Sequence, residues 1–139
     1  MTRRDLKIFL NNWNKLNKQY MKLHKGGRLS FPEPLQKEIV MSFFDKTLKK
    51  ACSSPYDFQG NIELKSSTLH NGGCTPFKKT QNQCSRIIYM EIGTAIDVFE
   101  LSSLDVQAIN NTISSSASHQ TNITLSQYKQ NSTKQLSLP

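Results

Sequence analysis

The chain has 139 residues, enough for one compact domain with a single hydrophobic core but too few for two. Only 36% of the residues are hydrophobic and the mean hydropathy is −0.53, so part of the chain is expected to stay unpacked or to need a partner. The net charge of +8 originates in the first fifty residues, where twelve basic residues stand against four acidic ones. This surplus favours nucleic acid over a membrane surface, because no long apolar face accompanies the charge; a basic face that serves only solubility is the alternative.

The sequence contains no segment that indicates a membrane or an oxidising compartment. No stretch approaches the roughly 18 apolar residues of a transmembrane span, and the N-terminal residues lack the apolar core of a signal peptide. The three cysteines, Cys52, Cys74 and Cys84, show no C-x-x-C spacing and are odd in number, which indicates reduced thiols. We therefore expect a cytoplasmic protein without a membrane partner.

Two helices are predicted in the N-terminal third. Between residues 4 and 24, apolar side chains recur every three or four positions, which predicts a basic amphipathic helix within residues 1–25 that ends at Gly26 and Gly27. Its apolar stripe suits a core or dimer face, with a membrane anchor as the alternative. Two prolines then fit a first helical turn, and the same spacing predicts a second helix over residues 34–50, with Glu38 at the edge of the buried stripe.

From Ser53 onward the apolar residues alternate with polar ones. Residues 53–58 and 62–68 predict a hairpin that turns at Gly60 and Asn61. Residues 86–92 and 95–101 predict two more strands, and a capping box at Ser102 predicts a short helix to about Ile113. The expected fold is a single α+β domain over residues 1–113, with its sheet in residues 55–101. The Ser, Thr, Asn and Gln content of residues 114–139 predicts a mobile tail.

Asp57, Glu63 and Lys65 stand close together in a chain that is poor in acids. Side chains two apart in a strand share a face, so Glu63 and Lys65 point together while Ile62 and Leu64 point into the core. The hairpin turn brings Asp57 back toward them. Two carboxylates, with the Leu64 carbonyl as a further oxygen, suit Mg²⁺, and Lys65 is placed to orient or deprotonate a water for phosphodiester hydrolysis. The alternative is a solvated strand face with a surface ion pair.

The residues after this strand supply side chains that can contact bases or phosphates. These candidates for DNA contact are His70, Asn71, Thr75, Lys78, Lys79 and Arg86, with Gln81 and Gln83 beside them. For any one of them, an ordinary polar loop residue is the alternative. His70 with Asn71 also hints at an HNH-type nuclease, but such a site needs further spaced histidines and usually zinc cysteines.

The order of helix, hairpin carrying D-x5-E-x-K, polar glycine-containing loop, strands and helix resembles the common core of the PD-(D/E)xK nucleases. The stretches HKGGRLSFPEPLQKEIVMSFF, YDFQGNIELKSS, GCTPFKKTQNQCSRIIYMEI and IDVFELS resemble small type II restriction endonucleases. The similarity spans residues 24 to 102. In one place the chain departs from the family pattern: Tyr56 separates Pro55 from Asp57, where the pattern has Pro and Asp adjacent.

The resemblance implies a small central mixed sheet flanked by helices and a set of site residues. Asp57 and Glu63 would bind Mg²⁺, Lys65 would be the catalytic lysine, and Glu38 an auxiliary ligand. Arg28 in the basic turn and Ser67 after the E-x-K strand would contact DNA.

The expected function is Mg²⁺-dependent, site-specific cleavage of double-stranded DNA by a homodimer, because twofold symmetry matches a palindromic site. A cognate DNA methyltransferase is expected in the same system. The alternative is a non-catalytic or inactivated basic DNA-binding protein, although acids beside a phosphate path repel DNA unless a cation intervenes. The chain has no GxxxxGK[ST], GxGxxG, HExxH or GxSxG motif, so the usual signatures of nucleotide hydrolysis, dinucleotide binding, zinc proteolysis and serine hydrolysis are missing.

Overall fold

A four-stranded mixed sheet and a two-stranded sheet carry the fold in the computed structural model, which describes residues 1–68 and 72–139. The α+β class expected from the sequence is confirmed. The elements in chain order are α1 (Arg3–Leu23), α2 (Glu33–Ile39) with a π-helical turn (Val40–Phe44), β1 (Ile62–Ser67), β2 (Cys74–Lys78), a 3₁₀ turn (Lys79–Gln81), β3 (Arg86–Ile92), β4 (Ile96–Glu100), α3 (Ser103–Ser115), β5 (Gln120–Thr124), a 3₁₀ segment (Leu125–Asn131) and β6 (Lys134–Leu138).

The larger sheet has the strand order β1-β3-β4-β6. β1 runs parallel to β3, whereas β3 with β4 and β4 with β6 are antiparallel. The second sheet pairs β2 with β5 in antiparallel fashion. Because β1 lies at an edge, one side of its backbone is free of strand partners, and the segment around Asp57 approaches it from that side.

Two apolar clusters cover opposite faces of the larger sheet. The first packs α1 and α2 against Ile62 and Leu64 of β1, as the alternation predicted. The second packs α3, Phe77 and the C-terminal segment against Ile87 and Tyr89 of β3. Both faces are therefore covered, and the polar side chains of β1 that face the second cluster are withdrawn from water.

The first predicted helix is confirmed as α1. Its N-terminus has a capping box in which Asp5 N–H donates to the Thr2 hydroxyl at 3.1 Å. Only the first half of the apolar stripe is buried: Leu6 and Leu10 are enclosed, whereas Leu16 and Leu23 are 56% and 89% exposed. Among the described residues, no helix combines the length and the apolarity that a membrane span requires.

The second helix and the hairpin differ from the prediction over residues 34–50 and 53–58. The helix runs from Glu33 into a π-helical turn that ends at Phe44, because the Asp45 side chain accepts bonds from the hydroxyl and the N–H of Thr47 and favours a turn there. Instead of a first strand, only Phe58 forms isolated bridges, to Lys50 and to Ile62. The turn itself is as expected, with positive φ at Gly60 and Asn61.

The prediction of a mobile tail over residues 114–139 is wrong in this structure. β5 pairs with β2 and β6 pairs with β4, and the side chains of Leu125 and Leu138 are fully buried. Few apolar residues are needed here, because β6 adds to the edge of the larger sheet and β5 forms the smaller sheet with β2. By contrast, β3, β4 and α3 match the prediction, and Asp105 N–H donates to the Ser102 hydroxyl that caps α3.

Candidate active site

The carboxylate of Asp57 is held against the open edge of β1. Its Oδ2 accepts a hydrogen bond from the backbone N–H of Leu64 at 2.9 Å. On the other side, the Lys37 ammonium of α2 lies 3.2 Å from Oδ1. The Asp57 side chain is only 14% exposed, so these two contacts fix a carboxylate that has little access to water.

The carboxyl group of Glu63 is in hydrogen-bonding contact with Asp57 and is almost completely buried. Burial, followed by the adjacent Asp57 carboxylate, raises the pKa of Glu63 well above its usual range. Burial also disfavours ionisation of Asp57, but bonds from Glu63, Leu64 N–H and Lys37 outweigh it and lower the pKa of Asp57. Without a bound cation, the environment therefore favours the protonated form of Glu63 and the ionised form of Asp57.

Lys65 projects from the same face of β1 as Glu63, as the strand alternation predicted. Its ammonium lies 3.4 Å from Oε1 of Gln81 and 4.7 Å from the centre of the Phe77 ring. The amide oxygen and the ring face both attract a cation, so the ammonium has a defined position in the cleft that Asp57 and Glu63 also line.

The three side chains open into a cleft of about 940 Å³. One wall is formed by the connection from α1 to α2 and by α2 itself, and the other by β1, β2 and the 3₁₀ turn. The basic residues that line it are Arg28, Lys37, Lys65 and Lys78, and the acidic ones are Glu33, Asp57 and Glu63. The cleft thus combines positive charge along its walls with a carboxylate pair inside.

The carboxylate pair fits a hard divalent cation. Oε2 of Glu63 is buried and has no hydrogen-bond partner among the described residues, and an unsatisfied buried oxygen is costly. Mg²⁺ is commonly held by one or two carboxylates, with waters and substrate phosphates completing the octahedron. In the described part of the chain, no group of three or more His, Cys, Asp or Glu residues is arranged to hold a metal ion, so Asp57 and Glu63 would bind a cation as a pair. The role of the Leu64 carbonyl stays a prediction.

The structure does not place Glu38 with this pair, and its prediction as an auxiliary ligand requires correction. Glu38 is about half exposed and bonds to the Lys50 ammonium at 2.8 Å. Successive helical residues are rotated by about 100°, and it is Lys37 that faces the cleft and contacts Asp57. Lys37 was missed because no sequence pattern distinguished it from the other lysines of the basic half.

Two predicted DNA contacts are engaged within the protein instead. Arg86 bonds to both carboxylate oxygens of Glu100, at 2.8 and 2.7 Å, and lies 2.9 Å from Asp45. Lys79 donates to the carbonyls of Ser114 and Ser116 at the end of α3. Both side chains thus have contacts within the protein and neither lines the cleft, and their contact with DNA stays a prediction.

The other candidates for DNA contact differ in their placement. Arg28, Ser67 and Lys78 line the cleft, as does Thr75, which is buried and donates to the Ile123 carbonyl at 3.4 Å. His70 and Asn71 lie outside the described residues.

A scan against protein-family models and searches of curated proteins and of solved structures found no match to this chain. Membership of the PD-(D/E)xK nucleases therefore stays a prediction from the motifs.

Proposed function

We propose that this protein is a Mg²⁺-dependent endonuclease that hydrolyses phosphodiester bonds in double-stranded DNA. The observation that carries the proposal is the buried contact between Glu63 and Asp57, with the Lys65 ammonium on the same strand face and a basic cleft in front of them. Burying two carboxyl groups in contact is unfavourable, and a bound cation would offset that cost.

Each of the three side chains has a role in this chemistry. Asp57 and Glu63 would hold the cation, which when bound activates water and offsets the charge that develops on the phosphate. Leu64 N–H keeps Asp57 oriented toward that position. The Lys65 ammonium would orient the attacking water and stabilise negative charge on the phosphate oxygens.

The basic residues of the cleft would bind the phosphate backbone of DNA. Arg28 and Lys78 both line the cleft, and Lys37 lies next to Asp57. Phosphate contacts of this kind position the duplex but carry no sequence information. Sequence-specific cleavage, action as a homodimer on a palindromic site, and a cognate methyltransferase are the finer parts of the proposal.

One observation favours a second candidate function, a DNA-binding protein without catalysis. Lys37 already pairs with Asp57, and burial favours the protonated form of Glu63, so this pair adds little negative charge to the cleft when no cation is bound. A protein of this kind would bind DNA equally well in EDTA.

Incubation with unmethylated plasmid or phage DNA, with Mg²⁺ and in parallel with EDTA, separates the two. Discrete fragments that require Mg²⁺ support the endonuclease, whereas intact DNA that is retarded on a gel in both conditions supports the binder. The matched variants are Glu63→Gln, in the carboxylate pair, and Glu38→Gln, on the outside of α2. Cutting should be lost only in Glu63→Gln, and unchanged cutting by that variant would overturn the site assignment.

A further inference from the structure

The side chain of Gln81 joins three parts of the site that are far apart in sequence. Its Oε1 accepts from the Lys65 ammonium at 3.4 Å and from the N–H of Lys78 at 2.9 Å. Its Nε2 donates to the Pro55 carbonyl at 2.7 Å, two residues before Asp57. Gln81 is 6% exposed, so these contacts are made out of water.

The two backbone contacts determine which way the amide of Gln81 points. A carbonyl accepts and an N–H donates, so Nε2 must face Pro55 and Oε1 must face Lys78. Reversing the amide would place two acceptors together at Pro55 and two donors together at Lys78, inside the protein. The amide oxygen of Gln81 therefore always faces the Lys65 ammonium, because the reversed amide orientation is excluded.

The same 3₁₀ turn holds the Asp57 segment at a second point. The Tyr56 hydroxyl accepts from the N–H of Gln83 at 2.9 Å and lies 3.4 Å from the Thr80 carbonyl. The turn thus holds two parts of the site: the segment that carries Asp57, through Tyr56, and the ammonium of Lys65, through Gln81.

We infer that Gln81 is a positioning residue. It holds the Lys65 ammonium in the cleft that contains the carboxylate pair and, through its bond to Pro55, fixes the position of the ammonium relative to Asp57. The inference rests on the proposed function for its effect on catalysis. The part that concerns the position of Lys65 is independent of that function.

The first test measures the position of Lys65 without any substrate. In Gln81→Met, which has a similar length but no acceptor, ¹³C relaxation at Lys65 Cε should show increased motion relative to the wild type. Gln107→Met is the matched control, because Gln107 is exposed on α3 and lies outside the cleft. Equal Lys65 order in the wild type and Gln81→Met overturns the inference, whether or not the protein cuts DNA.

The second test measures cutting. Gln81→Met should lower kcat on the order of 10- to 100-fold with little change in KM, whereas Gln107→Met should leave both unchanged. In a Lys65→Met background, adding Gln81→Met should have little further effect, because Gln81 acts through Lys65. Full additivity of the two losses would indicate a merely structural role and overturn the inference.

Two further outcomes keep this inference separate from the proposed function. If Gln81→Met does not fold, the same relaxation measurement is made on Gln81→Glu, which retains an oxygen toward Lys65. The order of the Lys65 side chain should then be close to that of the wild type. A mobile Lys65 side chain in Gln81→Glu overturns the inference. If the wild type does not cut DNA, the proposed function fails, and Lys65 motion still decides whether Gln81 holds the ammonium.

Discussion

Oδ2 of Asp57 accepts a hydrogen bond from the N–H of Leu64, and this contact helps to set Asp57 beside Glu63 although five residues separate them in sequence. The bond comes from the protein backbone, so Asp57 is oriented before any cation binds. Because β1 is an edge strand of the sheet in the described residues, the N–H of Leu64 meets no strand partner there that competes for it.

Asp57→Asn should retain the fold and lose DNA cleavage. The asparagine oxygen still accepts from Leu64, but a neutral amide is a much poorer Mg²⁺ ligand and no longer pairs with Lys37. Circular dichroism and a cutting assay with Mg²⁺ test this prediction, with Asp97→Asn on β4 as a control outside the cleft. Cleavage by Asp57→Asn at the wild-type rate would show that Asp57 is not a ligand.

Glu63→Gln should be more stable than the wild type at pH 8 when EDTA is present. The pKa of Glu63 is raised above its ordinary value of 4.5, so folding stability is fully present below pH 4.5 and decreases as the pH rises toward the folded-state pKa. The free energy of unfolding falls by at most about 1.4 kcal/mol for each pH unit, and glutamine, which does not ionise, causes no such decrease. Urea unfolding at pH 4 and pH 8 measures the effect, and an advantage of Glu63→Gln that is equal at both values contradicts it.

Local patterns were sufficient to predict α1, β3, β4, α3 and the shared face of Glu63 and Lys65. These features depend on side-chain spacing within one segment. The convergence of Asp57 with that face was also expected, and the structure brings the three side chains together. Their catalytic roles stay predictions.

Long-range pairing could not be read from the sequence. Nothing in the composition of β5 or β6 indicates that β2 and β4 leave an edge for them to complete. The assignment of Glu38 failed for a related reason. The helix stops at a π-helical turn before residue 50, and the packing of α2 against β1 decides which of its side chains face the cleft. The role of Gln81 likewise depends on Pro55, which is distant from it in sequence, and on Lys78, which belongs to no recognisable pattern.

Arg86→Met should destabilise the protein without a specific effect on DNA binding. The change leaves the mostly buried carboxylates of Asp45 and Glu100 without their partner, which costs about 1–3 kcal/mol at neutral pH. Hydrogen bonds from Thr47 and then Arg86 lower the pKa of Asp45 to about 2, so its contribution is present above its ordinary value of 3.8 and is lost as the pH falls through about 2.

Urea unfolding of Arg86→Met at pH 7 and at pH 2 is the measurement, with DNA affinity determined well below the melting temperature. The destabilisation should be smaller at pH 2. A variant of unchanged stability that has lost DNA affinity would restore Arg86 as a DNA contact.

Lys78→Ala should weaken DNA binding in a salt-dependent manner. Each phosphate contact contributes about one unit to the slope of log affinity against log salt concentration, so the slope should fall by about 1. Lys18→Ala, on the exposed side of α1 and outside the cleft, is the matched control. Fluorescence anisotropy over a range of NaCl concentrations gives both slopes, and equal slopes for the two variants would remove Lys78 from the interface.

Leu125→Ala should destabilise the fold by about 2–5 kcal/mol, because this side chain is fully buried in the second apolar cluster. Leu104→Ala, at a position that is 77% exposed, should have almost no effect. Thermal and urea unfolding compare the two. Equal stabilities would mean that the segment after α3 is unpacked in solution, as its composition alone suggests.

The pairing of β4 with β6 has a consequence for synthesis on the ribosome. β1, β3 and β4 are all translated before α3, β5 and the 3₁₀ segment, and β6 follows later still. During that interval the nascent chain carries an unpaired strand edge, which is the kind of surface that other chains can pair with. The residues of the candidate active site are thus present early, while protection of the sheet from aggregation waits for residues 134–138.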